Sequence, residues 1–237
     1  AVSATDVVLQ TGGELEVNAP GSITYSTCSW TGGVLTDNGG TIALLAGGSD
    51  VVVPAGSTLN ANVAKTWNSL TVNGTLSHTA NTTAAEYEID LVIGTDMTVS
   101  GTGEVNVDER GYQKSEGPGS GDDDYRAGGA GHGGVGGGYG YYSGKWNGGV
   151  SYGSIKEPVN LGSGGGIDTN NGGSGGGAVK LEVGGTLDLD GDITADGQGG
   201  IAYDGGGGSG GSVYVIADTL TGTGTVGANG GSGSGSG

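Results

Sequence analysis

Carboxylates and aromatic rings are the side chains in this sequence that could do chemistry. Asp188, Asp190, Asp192 and Asp196 fall within one short stretch, and Asp122, Asp123 and Asp124 stand together in another. Oxygen-rich, negatively charged turns are what Ca²⁺ takes as ligands, so Ca²⁺ is the one cofactor the sequence raises. The spacing fits neither the twelve-residue helical loop nor an array of Ca²⁺-type nonapeptides, and aspartates solvated on a surface are the competing reading. Tyr139, Tyr141, Tyr142 and Trp146 crowd a Gly-rich segment. Such rings offer flat faces with polar tips, suited to stacking on a glycan or on a neighbouring subunit; alternatively they plug a loop that has almost no other apolar content. His78 and His132 are the only histidines, which excludes a His-rich metal site. The run Gly131–Gly136 matches the dinucleotide pattern letter by letter, but with 60 Gly in 237 residues such matches arise by chance, and no strand-to-helix unit surrounds it. No Walker lysine pattern or serine-hydrolase elbow is present.

The elements that must position these groups are strands. Gly173-Ser174-Gly175-Gly176, an alternating run from Ala178 to Val183, and Thr186 to Gly197 form one phrase; Gly208 to Gly211, Val213 to Ala217 and Thr219 to Gly230 repeat it, with Thr186-Leu187 and Thr219-Leu220 in equivalent places. Shorter versions occur at Leu70–Leu76 and Met97–Val107. Recurrence at this period is the signature of a solenoid. Each unit alternates aliphatic with Thr, Asp or Asn and breaks at Gly, so Leu187, Leu189, Ile193, Leu220 and Val226 are expected inside one stacked column, with Asp188 and Asp190 outside. The expected fold is all-β, a right-handed parallel β-helix with a long insertion; a β-sandwich is the alternative. Phe is absent and the aliphatics are mostly small, which suits a narrow core.

Four segments follow. Residues 1–58 hold short strands that form the first coils or donate a strand; residues 59–110 are coils; 111–177 is the Gly/Tyr-rich insertion; 178–237 holds further coils and a Gly/Ser tail. Loops as long as the insertion are functional or disordered, and ordering so many Gly is entropically expensive. Runs such as Gly128–Gly138 have a third option: extended polyproline-II-type chains whose missing side chains let backbones approach and hydrogen-bond.

The chain carries 25 acidic against 7 basic side chains, a net charge of −18. Binding a polyanion needs a basic footprint, so nucleic acid is excluded as a partner. No apolar run is long enough to span a membrane as a helix. The start Ala1-Val2-Ser3-Ala4 resembles a mature end left by signal-peptide removal, which points to secretion. Cys28 is the only cysteine, so no internal disulfide forms; it is either a small buried thiol or an intermolecular bridge. The opening segment Ala1–Thr11 is apolar and poorly tied to the repeats. Val2, Val7 and Leu9 are its candidate assembly residues, burying themselves in a neighbouring copy if the strand is donated or in the chain's own first coil if it is not.

With these phrases in view, residues 70–230 resemble the Gly-rich β-helical segments of large secreted and cell-surface bacterial structural and adhesin-like proteins. The likeness rests on Gly172–Gly177 with Thr186–Gly197 and on Gly208–Gly211 with Leu220–Gly231. It implies a non-enzymatic structural or adhesive role outside the cell and supplies no catalytic residues. The fold also raises polysaccharide lyases and glycosidases. Lyases of that shape rely on a basic catalytic residue and basic contacts, yet Arg110 and Arg126 are the only arginines, and no spacing selects the opposed carboxylates a glycosidase needs. The expected function is therefore a self-assembling subunit of an extracellular filament or matrix, with glycan binding through the Tyr/Trp cluster as the second reading.

Overall fold

The computed structural model of the chain describes residues 2–123, 125–138, 148–169, 171–202 and 204–234. Among them there is no α-helix, and a single 3₁₀ turn occupies Ala43–Leu45. Strands follow the alternation in the sequence. Ser57–Ala61 buries Ser57, Leu59 and Ala61 and leaves Thr58 and Asn60 partly in solvent, and Ile89–Ile93 repeats the pattern, the period of two that a pleated chain imposes.

The chain lays its strands down in successive passages. These are β1 (Val2–Leu9) and β2 (Glu14–Asn18); β3 (Ser22–Trp30) and β4 (Gly33–Asn38); β5 (Thr41–Ile42), β6 (Asp50–Val53) and β7 (Ser57–Ala61); β8 (Lys65–Trp67), β9 (Ser69–Val72) and β10 (Thr75–Ser77); β11 (Ile89–Ile93), β12 (Met97–Val99) and β13 (Glu104–Asn106); β14 (Ala178–Leu189) and β15 (Asp192–Thr194); and β16 (Ser212–Thr221) and β17 (Val226–Gly227). Each passage stacks on the one before. The sheets run β1-β3-β5, β17-β15-β13-β10-β7-β4-β2 and β6-β9-β12-β14-β11-β8, with β16 on β14. Every ladder between these strands is parallel, so an antiparallel sandwich does not describe the chain.

Register stacks the core side chains into columns. One runs Leu15, Leu35, Leu59, Leu76, Val105, Ile193, Val226; another runs Val51, Leu70, Met97, Leu187, Leu220. Members flanked on both sides are fully buried, each such Leu, Val or Ile contributing about 1.5–3 kcal/mol. A polar column runs alongside. Asn38 Nδ2 donates to Asn18 Oδ1 at 2.8 Å, and Asn62 Nδ2 donates to Asn38 Oδ1 at 2.6 Å and to Thr79 Oγ1 at 2.8 Å. Asp37, 1% exposed, has its second carboxylate oxygen 2.8 Å from Lys65 Nζ, and Trp67 donates its indole N–H to the Leu45 carbonyl at 3.2 Å.

Between β13 and β14 the described residues contain no strand. The described Gly-rich residues there form extended segments that hydrogen-bond to one another and to the Gly-rich returns after β15 and β17. Donors aimed at one neighbour recur at every third residue. Gly162 and Gly165 donate to the carbonyls of Gly176 and Gly173, both at 2.8 Å; Gly173 and Gly176 donate to Gly206 and Ser209, both at 2.9 Å; Gly206 and Ser209 donate to Gly166 at 3.1 Å and Ser163 at 2.9 Å. Three residues per turn is the period of polyproline II, and it lets one chain bond several neighbours in different directions. Ser163 and Ser209 pin two of these chains: the Ser163 amide donates to Ser209 Oγ at 2.8 Å, and the Gly119 amide donates to Ser163 Oγ at 3.0 Å. A Cβ built at Gly175 would land on the backbone of Gly162, whereas one at Gly133 would meet open space. Gly175→Ala should accordingly lower the melting temperature, by the about 1–3 kcal/mol typical of overpacking or more, while Gly133→Ala leaves it nearly unchanged; thermal unfolding by circular dichroism separates the two.

Candidate interaction surfaces

The last passage of the chain is where the core columns end in solvent. In register, Leu220 continues Met97 and Leu187, and Val226 continues Val105 and Ile193. Leu187 is 1% and Ile193 0% exposed, but Leu220 is 65% and Val226 55% exposed. Burial, expected for all of these and Leu189 in one column, holds for Leu187, Leu189 and Ile193 and fails for Leu220 and Val226, because alternation fixes which way a side chain points and not whether another passage covers it. The single column is corrected to three, Leu187 stacking with Leu220, Leu189 with Val99 and Ile193 with Val226. Ile216, on the outward side of the same strand, is also exposed. Among the described residues β16 pairs with β14 alone, so its other edge runs beside these apolar side chains with no strand on it.

At the opposite end, β1 pairs along its length with β3 of its own chain, Val2 with Ile23, Ala4 with Tyr25, Val7 with Cys28 and Leu9 with Trp30. Of the candidate assembly residues, Leu9 is buried in the chain's own core, Val7 is half-buried and Val2 is exposed. Cys28 is a half-buried free thiol. Burial, with a hydrogen bond to Tyr25 acting in the opposite direction, holds its pKa above the ordinary thiol value.

The aspartates form a ladder between the last two passages. Asp188 accepts from Thr221 Oγ1 at 2.9 Å, Asp190 from the Thr223 amide at 3.2 Å, Asp192 from the Thr225 amide at 3.0 Å and hydroxyl at 2.6 Å, and Asp196 from the Asn229 amide at 2.6 Å. Each partner lies 33 residues ahead, the length of that passage. Asp190 and Asp192 are exposed, and Asp188 and Asp196 half-exposed. The hydroxyl and amide of Thr225 hold the Asp192 carboxyl below the usual carboxylate range. Among the described residues no three His, Cys, Asp or Glu side chains converge as a metal site. Asp122 and Asp123 lie in the insertion, where Asp123 accepts from the Ser115 hydroxyl and from the Ile167 amide at 2.9 Å.

Tyr139, Tyr141, Tyr142 and Trp146, with Asp124, lie outside the described residues. The aromatic feature that is described is a pair the sequence did not single out. The rings of His132 and Tyr152 stand 4.6 Å apart at 36°, on the wall of an open cavity of about 850 Å³ that Val135, Ile155, Pro158 and residues 209–213 also line. His132 Nδ1 is 2.9 Å from the Gly210 carbonyl, Tyr152 donates to the Leu161 carbonyl at 2.5 Å, and Ser163 Oγ donates to the Tyr152 hydroxyl at 2.8 Å. Burial pushes the Tyr152 pKa up to about 12. Half-buried Tyr152 therefore pins the Gly chains and also lines the cavity.

His78 marks where the insertion rejoins the strands. It is fully buried, its Nδ1 is 2.8 Å from the Thr79 carbonyl and its Nε2 accepts from the Ala178 amide at 3.3 Å. Those partners require the neutral ring protonated on Nδ1, and burial, the main cause, lowers its pKa to about 4.

No protein-family profile, curated protein or solved structure matches the chain. What it does must be argued from these surfaces alone.

Two outcomes follow from the buried imidazole and the ladder. His78 stays neutral in the fold but takes a proton near pH 6.5 when unfolded, so its contribution is intact above that pH and is lost as pH falls from 6.5 towards 4, on the order of 3 kcal/mol in all. His78→Gln should flatten that part of the stability–pH curve measured by urea unfolding. Asp192→Asn keeps an acceptor oxygen for Thr225 and should melt close to the parent, whereas Asp192→Ala should melt lower; equal losses for both, reversed by neither, and a fall in melting temperature on adding a chelator to the parent would point instead to bound Ca²⁺.

Proposed function

We propose that this chain is a secreted, non-enzymatic structural protein, a right-handed parallel β-helix whose copies assemble end to end into an extracellular filament or matrix. The observation that carries this reading is the exposure of Leu220 and Val226 at the end of columns whose inner members are fully buried. An exposed strand edge beside apolar side chains is a template for pairing with another chain, and stacked-repeat proteins hide such ends under polar caps when they remain monomeric. A head-to-tail contact between unlike ends generates an open filament when its rotation does not close into a ring, as stacking along the coil axis would not. The right hand follows the near-universal handedness of parallel crossover connections. Pairing of β1 with its own β3 favours end-to-end stacking over donation of a strand.

A glycan-binding module is the second reading, and the open cavity beside His132 and Tyr152 is the observation that favours it. Electron microscopy of the purified full-length chain distinguishes the two. Filaments are expected for the parent chain and none for Leu220→Asp, whose melting temperature should match the parent because the site is exposed in the single subunit. Monodisperse particles of the parent at every concentration and salt level would remove the assembly reading.

A further inference from the structure

We propose that β1 and β2 of a second copy continue the last passage in parallel, with Ala4 and Val7 of the incoming chain set beside Ala217 and Leu220. This rests on the end-to-end reading above and assigns its register. The inward row of β1 is Val2, Ala4, Val7 and Leu9: Ile23, Tyr25 and Trp30, the partners of Val2, Ala4 and Leu9, pack on the core, and Val7, two places before the buried Leu9, pairs with the half-buried Cys28. Its step lengthens from two residues to three between Ala4 and Val7, which we take as the corner of this passage. The inward row of β16 is Val213, Val215, Ala217 and Leu220, the partners of Val179, Leu181, Val183 and Leu187. It too takes three residues across the corner, from Ala217 to Leu220. The strand beneath it does not: β14 takes four, from Val183 to Leu187, and the ladder shifts register there. The last passage thus returns to the corner spacing of the first.

Placing Ala4 beside Ala217 sets Val2 beside Val215 and Val7 beside the exposed Leu220. The column that begins with Leu15 and ends with Val226 then restarts, with Leu15 of the second copy beside Val226. Charges agree with this register. Asp6 faces Thr219, Glu14 faces Thr225 and Glu16 faces Gly227, while Asp218 faces Thr5; in a chain of net charge −18, no carboxylate is set directly against another. A tail-to-tail pair would reverse one chain, bring Asp218 of both copies to the same edge and cross the two corners.

The register is tested by disulfide trapping in full-length chains carrying Cys28→Ser. Adjacent parallel strands lie about 4.8 Å apart, within the span a disulfide bridges. Val7→Cys with Leu220→Cys should give a ladder of covalent multimers on a non-reducing gel after mild oxidation, and Val7→Cys with Val213→Cys should not. Dimers from Leu220→Cys alone, with no ladder from the 7/220 pair, would overturn the proposal in favour of tail-to-tail contact. Filaments that form normally with neither pair cross-linking would overturn the register and leave assembly standing, whereas the absence of any assembled species in sedimentation would remove assembly itself. Leu220→Asp, at an exposed site, guards against misfolding of the cysteine variants: full assembly by that variant also overturns the proposal.

Discussion

The structure depends on the hydrogen bond between two glycine backbones that meet with nothing between them. Ordering a glycine costs more conformational entropy than ordering any other residue, and in the insertion almost no apolar side chain offsets that cost. What offsets it is approach. Because Gly162, Gly165, Gly173, Gly176 and Gly206 have no Cβ, extended chains lie close enough for amides to reach carbonyls at 2.8–3.1 Å in several directions. The period of three distributes those bonds among different neighbours, so one chain belongs to several ladders at once. A strand, whose amides alternate between two sides, cannot do this.

The parallel strands anchor this bundle. The Gly111 amide donates to Gly175, Gly177 to Val107 and Gly211 to Ala195, so the bundle is tied to the strands at the points where the chain leaves and re-enters the sheets. His78 sits at that junction, its Nε2 accepting from Ala178. Passages before the insertion are separated by 20, 24, 17 and 29 residues, then by 88 across it and 33 after it. The register of stacked residues survives this variation because each strand is fixed by the columns of side chains it joins, and the excess length is exported at a corner.

This division explains what could be read in advance. The recurrence of Thr-Leu at 186 and 219 announced that Leu187 and Leu220 share a column, and they pair in register; alternation announced that Leu189 and Ile193 point inward, and they do. Burial of Leu220 was not legible, since it depends on what lies above the strand. The aspartates read as either solvent-facing or metal-ligating; that their oxygens would be spent on Thr221, Thr223, Thr225 and Asn229 becomes visible only once the passage length is known, although both sets sit at corresponding places in the two phrases. The Gly runs signalled extended packed chains, but nothing in them named their partners. The returns after β15 and β17 look like turns and tail in sequence and prove to be walls of the bundle. His132 and Tyr152, separated by a stretch of Gly, gave no sign of meeting.

The two ends of the molecule differ in a way that bears on how strongly copies could associate. At the first passage Leu9 and Val17 are already 7% and 3% exposed, so a partner would gain little more by covering them, and Val2, 62% exposed, is the aliphatic side chain it would newly cover. At the last, covering Leu220 and Val226 removes two aliphatic side chains from water, a gain of a few kcal/mol at about 1.5–3 kcal/mol for each side chain fully buried. Association costs roughly 4–15 kcal/mol in lost translational and rotational freedom, so these two side chains do not join subunits by themselves. The remainder must come from the backbone ladder that β1 would extend along β16, whose bonds form only when the register is right. In the proposed assembly, repulsion between copies of charge −18 would oppose the contact and be screened by salt, which would make association dependent on ionic strength. Apolar burial alone would supply adhesion without specificity, and the requirement for a matched ladder would make the contact selective.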